Sequence, residues 1–128
     1  MKNFFKKQIN YLRYTIFIFF EKYFKIHITL VHFYSPIPEI NKLKKNNYKL
    51  IALTNWSAET FPVAIRKFEF LKSFEAIVVS GEIKMLKPFK EIYNYTINKY
   101  KLNPNKCVFI DDRLSNVVGA IECGIHGI

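Results

Sequence analysis

Acidic residues are scarce in this chain. Ten Asp and Glu stand against 20 Lys and Arg in 128 residues, and only two of the ten are aspartates, Asp111 and Asp112. The resulting charge of +10 would suit a nucleic-acid partner if it were gathered into a stripe. The lysines are instead spread over every segment, among many Ile, Asn, Tyr and Phe, as A- and T-rich coding produces. A solvated surface and no nucleic-acid partner are expected. Cysteine is equally sparse: Cys107 and Cys123 form no CxxC and have no His at ligand spacing, which excludes a zinc knuckle and a disulfide framework. Cys107, inside KCVFID, reads as a small buried hydrophobe, and Cys123 as a packing residue near a helix end. A reducing, cytoplasmic location fits this usage. No uncharged apolar run approaches the roughly 20 residues of a membrane span, because Glu21, Lys22 and Lys25 interrupt the best one. Neither does an Ala-x-Ala site follow the short run Thr15 to Phe20, so no signal peptide is expected.

What is present is enough for one folded domain, since half of the residues are apolar and 17% are aromatic. Residues 1–35 differ from the rest: they are aromatic and basic, and Met1 to Tyr34 contains neither Gly nor Pro. The pattern predicts an amphipathic helix over roughly Phe4 to Lys25, suited to lie on a partner or membrane surface or to be the remnant of another domain. Residues 36–128 are orderly. Pro36 and Pro38 open a helix, PEINKLKKN, which stops at Asn46 and Asn47. The apolar run KLIALT follows as a strand. A helix is expected from Ser57 or Glu59 to about Lys72, with Phe61, Ala64, Ile65, Phe68 and Leu71 on its apolar face. Strand AIVVS, a helix over Pro88 to Lys101, strand KCVFID, a helix over Leu114 to Cys123 and a last strand from Gly124 complete the reading. Continuous apolar strands alternating with helices imply an α/β fold with a parallel sheet covered on both faces.

In such sheets polar site residues gather at the C-terminal ends of the strands. The three runs end in Thr54-Asn55, in Ser80-Gly81 followed by Lys87-Pro88, and in Asp111-Asp112. A hydroxyl, an ammonium and a carboxylate pair at neighbouring strand ends suit Mg²⁺-assisted phosphoryl transfer. Each residue also has a plainer reading. Thr54 could cap a turn, Lys87 could be one surface lysine among many, and the two aspartates could cap the following helix. Trp56, Phe61, Phe68, Phe70 and Phe74 read as core. His27, His32 and His126 stand alone and are assigned no role.

Taken in order, IALTNWS, GEIKMLKP and VFIDDR resemble the second, third and fourth motifs of the haloacid-dehalogenase (HAD) superfamily of hydrolases. With TNWSAETFP, VVSGE and NVVGAIECGI around them, they resemble its small capped phosphatases and dehalogenase-like members. The resemblance covers residues 36–128, about three quarters of the chain. It implies a Rossmann-like parallel sheet. It also implies a catalytic and phosphate-binding set of Thr54 and Lys87 with Asn55 close by, and Mg²⁺ held by Asp111 and supported by Asp112. Asn116 and Gly119 would order the loop and let the next helix pack closely. Arg113 stands where the family often has Asn. The implied substrate is a small phosphorylated metabolite or, as an alternative, a 2-haloacid.

The family's reaction begins with an aspartate nucleophile in a DxD motif at the end of the first, central strand. No DxD exists here, and ITLVHFYS, the strand-like run upstream of Thr54, has no carboxylate. Losing general acid/base help costs about 10²- to 10⁴-fold, and losing a covalent nucleophile removes the route itself. The expectation is therefore a truncated or inactive HAD-like core lacking its central first strand, with IFIFFEKYF the last helix of a lost cap domain. His27 to Tyr34 is the candidate to replace the strand. The alternatives are a non-catalytic binding subunit and one half of a split enzyme whose missing strand a partner polypeptide supplies.

Overall fold

The computed structural model describes residues 15–18, 37–111 and 113–128. Its strands are β1 (Thr15–Ile18), β2 (Lys49–Thr54), β3 (Ala76–Val79), β4 (Cys107–Ile110) and β5 (His126–Gly127). Its helices are α1 (Ile37–Lys45), α2 (Phe61–Lys67), the single turn α3 (Ser80–Ile83), α4 (Lys90–Lys99) and α5 (Leu114–Ile121). The five strands form one sheet in the order β3-β2-β1-β4-β5, and every neighbouring pair is parallel.

The α/β expectation holds, and alternation along β2 shows why the apolar runs had to be strands. Leu50 and Ala52 face one side with Ile40 and Leu43 of α1, Phe61 and Ala64 of α2, Leu71 and Phe74. Ile51 and Leu53 face the other, with Ile92 and Tyr93 of α4, Phe109 and Ala120 of α5. A strand with both faces covered has no solvent side and therefore reads as an unbroken apolar run. Helix ends follow local chemistry. Helix α1 carries Lys42, Lys44 and Lys45 in its last turn, where cations oppose the negative end of the helix dipole. Asn46 then donates from Nδ2 to the Lys42 carbonyl, and Asn47 adopts the left-handed conformation that ends the helix.

The first 35 residues require a correction. The centre of the sheet is filled: Thr15–Ile18 pairs in parallel with β2 on one side and β4 on the other, with Ile18 in register with Ala52 and Ile110. The expected helix over Phe4 to Lys25 is therefore interrupted by a strand, and the central first strand is present. The physical reason is the slot itself. A short β-branched and aromatic run, TIFI, satisfies two open ladder edges that would otherwise leave unpaired N–H and C=O groups along β2 and β4. A donor strand from another polypeptide has no vacancy to fill. His27 to Tyr34, proposed for that slot, lies outside the described residues, as do His32 and the rest of the expected helix.

The helix expected to run to Lys72 is also divided. It ends at Lys67, Phe68 is extended (φ −115°, ψ 93°), and a 3₁₀ turn spans Glu69–Ser73. The break turns the chain back towards β3 and lets both Leu71 and Phe74 enter the core.

Candidate active site

The chain crosses between strands on both faces. Helix α1 connects β1 to β2 on one face, whereas α4 brings the chain from β3 across to β4 on the other. The direction of winding thus changes between β1 and β4, and a crevice opens outside the strand ends at such a switch point. Thr54, Asn55, Lys87 and Asp111 all come to this edge.

Their contacts are specific. Asn55, just past β2, uses both ends of its amide on one peptide unit. Its Nδ2 donates to the Lys87 carbonyl at 3.0 Å, and its Oδ1 accepts from the Lys87 N–H at 2.9 Å. This holds the loop after β3 against the end of β2, and the Lys87–Pro88 peptide there is cis. From this fixed backbone the Lys87 ammonium reaches Asp111 Oδ2 at 2.9 Å, with both side chains fully buried. The ammonium also lies 5.8 Å from the centre of the Phe109 ring. Asp111 accepts three further contacts: the Arg113 N–H reaches Oδ1 at 2.9 Å, and Asn116 Nδ2 lies 3.1 Å from each carboxylate oxygen. The capping alternative is not realised for Asp111: the residue that caps α5 is Arg113, and Asp111 accepts from its N–H rather than from an N–H of the helix. Thr54 ends β2 as a buried residue, and among the described residues its hydroxyl has no hydrogen-bond partner.

Around these groups the backbone is packed too closely for side chains at two glycines. A Cβ on Gly119 would lie 2.2 Å from the Pro88 carbonyl oxygen, so α5 rests directly on the loop that carries Lys87. A Cβ on Gly81 would lie 2.4 Å from the Ala58 nitrogen. There the Gly81 N–H and the Ser80 hydroxyl both donate to the Trp56 carbonyl, joining the end of β3 to the loop after β2.

Sequence reasoning missed Tyr93. Its hydroxyl donates to the Asn116 carbonyl at 2.7 Å and its ring meets Phe109 edge-on at 5.4 Å, so α4 supports the Asp111 site from below. Burial pushes the phenol above its ordinary value, and the nearby Asp111 charge adds to the shift. A tyrosine within EIYNY carries no signal for a backbone partner 23 residues away. Cys107 is buried and Cys123 partly so; both are free thiols, as expected.

Whether Mg²⁺ fits can be judged from donor capacity. A carboxylate offers about four lone-pair positions, and Mg²⁺ usually takes one or two carboxylates together with water or phosphate oxygens. Three donors already address Asp111: the Lys87 ammonium, the Arg113 N–H and the Asn116 Nδ2, which is shared between both oxygens. Asp112, the second expected ligand, lies outside the described residues. Among the described residues no group of three His, Cys, Asp or Glu is placed to hold a metal. The described set does not fit the ion. Nor, among these residues, is any helix long and apolar enough to cross a membrane.

The geometry can now be set beside known proteins. Over 87 residues the chain is 31% identical to mouse (Mus musculus) bifunctional epoxide hydrolase 2, an alignment covering 65% of this chain and 16% of that protein. It is 30% identical over 87 residues to human (Homo sapiens) N-acylneuraminate-9-phosphatase, covering 67% of this chain and 35% of the phosphatase. The chain thus spans about a third or less of these relatives' length. Among solved structures, a HAD-family enzyme of Bacteroides thetaiotaomicron, an aspartate-to-alanine mutant in complex with magnesium and inorganic phosphate, superposes with TM-score 0.66 at 23% identity. That match covers 87% of this chain and 53% of the other. An uncharacterized protein of Corynebacterium glutamicum superposes with TM-score 0.63 at 22% identity, covering 91% and 83%. The model of the haloacid dehalogenase-like hydrolase family matches residues 1–128. With three of that family's motifs at the ends of β2, β3 and β4, the chain belongs to the haloacid dehalogenase-like hydrolases.

Proposed function

We propose that this chain is a catalytically silent member of its family: it keeps phosphate-side groups of a phosphomonoesterase, Thr54 and Lys87, and does not hydrolyse phosphate esters by itself. The observation that carries the reading is the end of β1. In the family the nucleophilic aspartate stands at the end of the central strand. Here that strand ends in Ile18, level with Ala52 and Ile110, and the sequence continues Phe19-Phe20-Glu21. No aspartate precedes Asp111 anywhere in the chain. Without a group to form the aspartyl ester, the covalent route is closed rather than slowed.

What remains at the strand ends is suited to an anion more than to a reaction. Thr54, a buried residue whose hydroxyl has no hydrogen-bond partner among the described residues, ends β2 at the same sheet edge as Lys87. One relative is an N-acylneuraminate-9-phosphatase, and a small phosphorylated metabolite is the class this chain would recognise. The test is an aryl-phosphatase assay on the purified full chain, run beside a thermal melt with and without a phosphate analogue. No turnover above the buffer blank, with a melt raised by the analogue, is the expected result. Turnover that scales with protein and disappears in Lys87→Met would overturn the proposal.

A further inference from the structure

Helix α5 is apolar on two sides, and only one of them is covered. Val117 and Ala120 are buried, whereas Leu114, Val118 and Ile121 are exposed. Their i, i+4, i+7 spacing puts these three on one stripe of the helix. We propose that the stripe is the contact surface of a symmetric dimer, in which α5 packs antiparallel against α5 of a second copy of this chain.

Charge selects a second copy as the occupant. At +10 any two copies repel, so they can meet only where lysine is sparse. Among the described helices α5 alone, LSNVVGAI, contains no charged residue. Its two ends then supply complementarity. Arg113 precedes the helix and Glu122 follows it, both exposed. Each stands at the unfavourable end of its own helix dipole, which prefers anions at the N-terminus and cations at the C-terminus. An antiparallel neighbour reverses this: Arg113 of one copy faces Glu122 and the C-terminal end of the other, and the twofold axis repeats the pair. Glu122 already meets Lys90 through Oε2 at 3.1 Å, but among the described residues its Oε1 has no partner. That ion pair, with the Pro88 carbonyl against Gly119, holds the start of α4 beside α5, so that the exposed Phe89 borders the same helix. A patch of three or four side chains falls short of the roughly 800 Å² per partner of a standard interface, so the dimer is weak and reversible.

Sedimentation equilibrium of the full chain is the experiment. The 15.2 kDa monomer present at micromolar concentration should pass to twice that mass towards millimolar, with no larger species, because an isologous contact closes at two copies. Leu114→Lys puts a charge on the stripe at a position 76% exposed in the single copy. It should stay monomeric throughout and melt like the dilute native chain. Arg113→Glu and Glu122→Arg should each weaken dimerisation about tenfold by setting like charges opposite each other, and the double exchange should restore the native constant. A native chain that is monomeric at millimolar concentration, a dimer indifferent to Leu114→Lys, or a double exchange as weak as the single ones would each overturn the proposal. If Leu114→Lys lowers the melt, the two charge exchanges, made at exposed positions, decide alone.

Discussion

Replacing Lys87 with methionine keeps much of the side chain's volume and removes its charge, leaving the Asp111 carboxylate buried with only neutral donors. Breaking a buried ion pair from one side costs about 3–5 kcal/mol, because the remaining charge keeps its desolvation penalty and loses its counter-charge. The pair here belongs in that class, since both side chains are fully buried and the contact is 2.9 Å. For a chain of this size that loss corresponds to a fall of about 10–20 °C in melting temperature. Urea unfolding should show a lower midpoint with an unchanged slope, so that the difference reports stability and not a change in compactness. The double variant Lys87→Met with Asp111→Leu supplies the control. With neither charge left to desolvate, it should recover a large part of what the single variant loses. A single-variant loss below about 1 kcal/mol, the range of exposed pairs, would refute the reasoning by showing that water reaches the pair.

Other consequences follow from the same geometry. Gly119→Ala places a Cβ against the Pro88 carbonyl and should cost about 1–3 kcal/mol by forcing α5 off the Lys87 loop, measurable by chemical unfolding. Leu53→Ala empties a fully buried position of β2 and should cost about 2–5 kcal/mol. The Tyr93 phenol titrates above its ordinary value of 10.0 in the folded chain. Its contribution to stability is therefore complete below pH 10 and is lost as the pH rises beyond that, because the unfolded chain releases the proton first. Tyr93→Phe should lower stability by about 1 kcal/mol at neutral pH, and its difference from the native chain should shrink above pH 10. A difference that does not vary with pH in alkaline urea titrations would contradict that assignment.

Much of this was legible before the fold was known, and for identifiable reasons. Strands β2, β3 and β4 are covered on both faces, so each appears as an apolar run. Because parallel strands present their ends together, Thr54, Lys87 and Asp111 had to converge. Thr15–Ile18 was read within a helix because a four-residue apolar run has no period of its own. Only the two open ladder edges of β2 and β4, which are properties of the folded sheet, decide its conformation. The break at Phe68 was hidden for a similar reason: the helical spacing continues through it, and the return to β3 overrides local preference. Within the site, residue types announced the Lys–Asp chemistry. The pinning of the Lys87 backbone by Asn55 and of the Asn116 carbonyl by Tyr93 was not announced, because a backbone partner leaves no mark in the sequence.

Strand β1 pairs on both sides at the centre of the sheet, and neither it nor the Phe19-Phe20 that follows it in the sequence carries a carboxylate. Amide hydrogen exchange on the intact chain tests this directly. The N–H groups of Ile16, Phe17 and Ile18 should be protected together with those of Ile51 to Leu53 and Val108 to Ile110, as expected of a central strand paired on both sides. Free exchange at residues 16–18 while β2 and β4 remain protected would contradict the account and return the central slot to another segment.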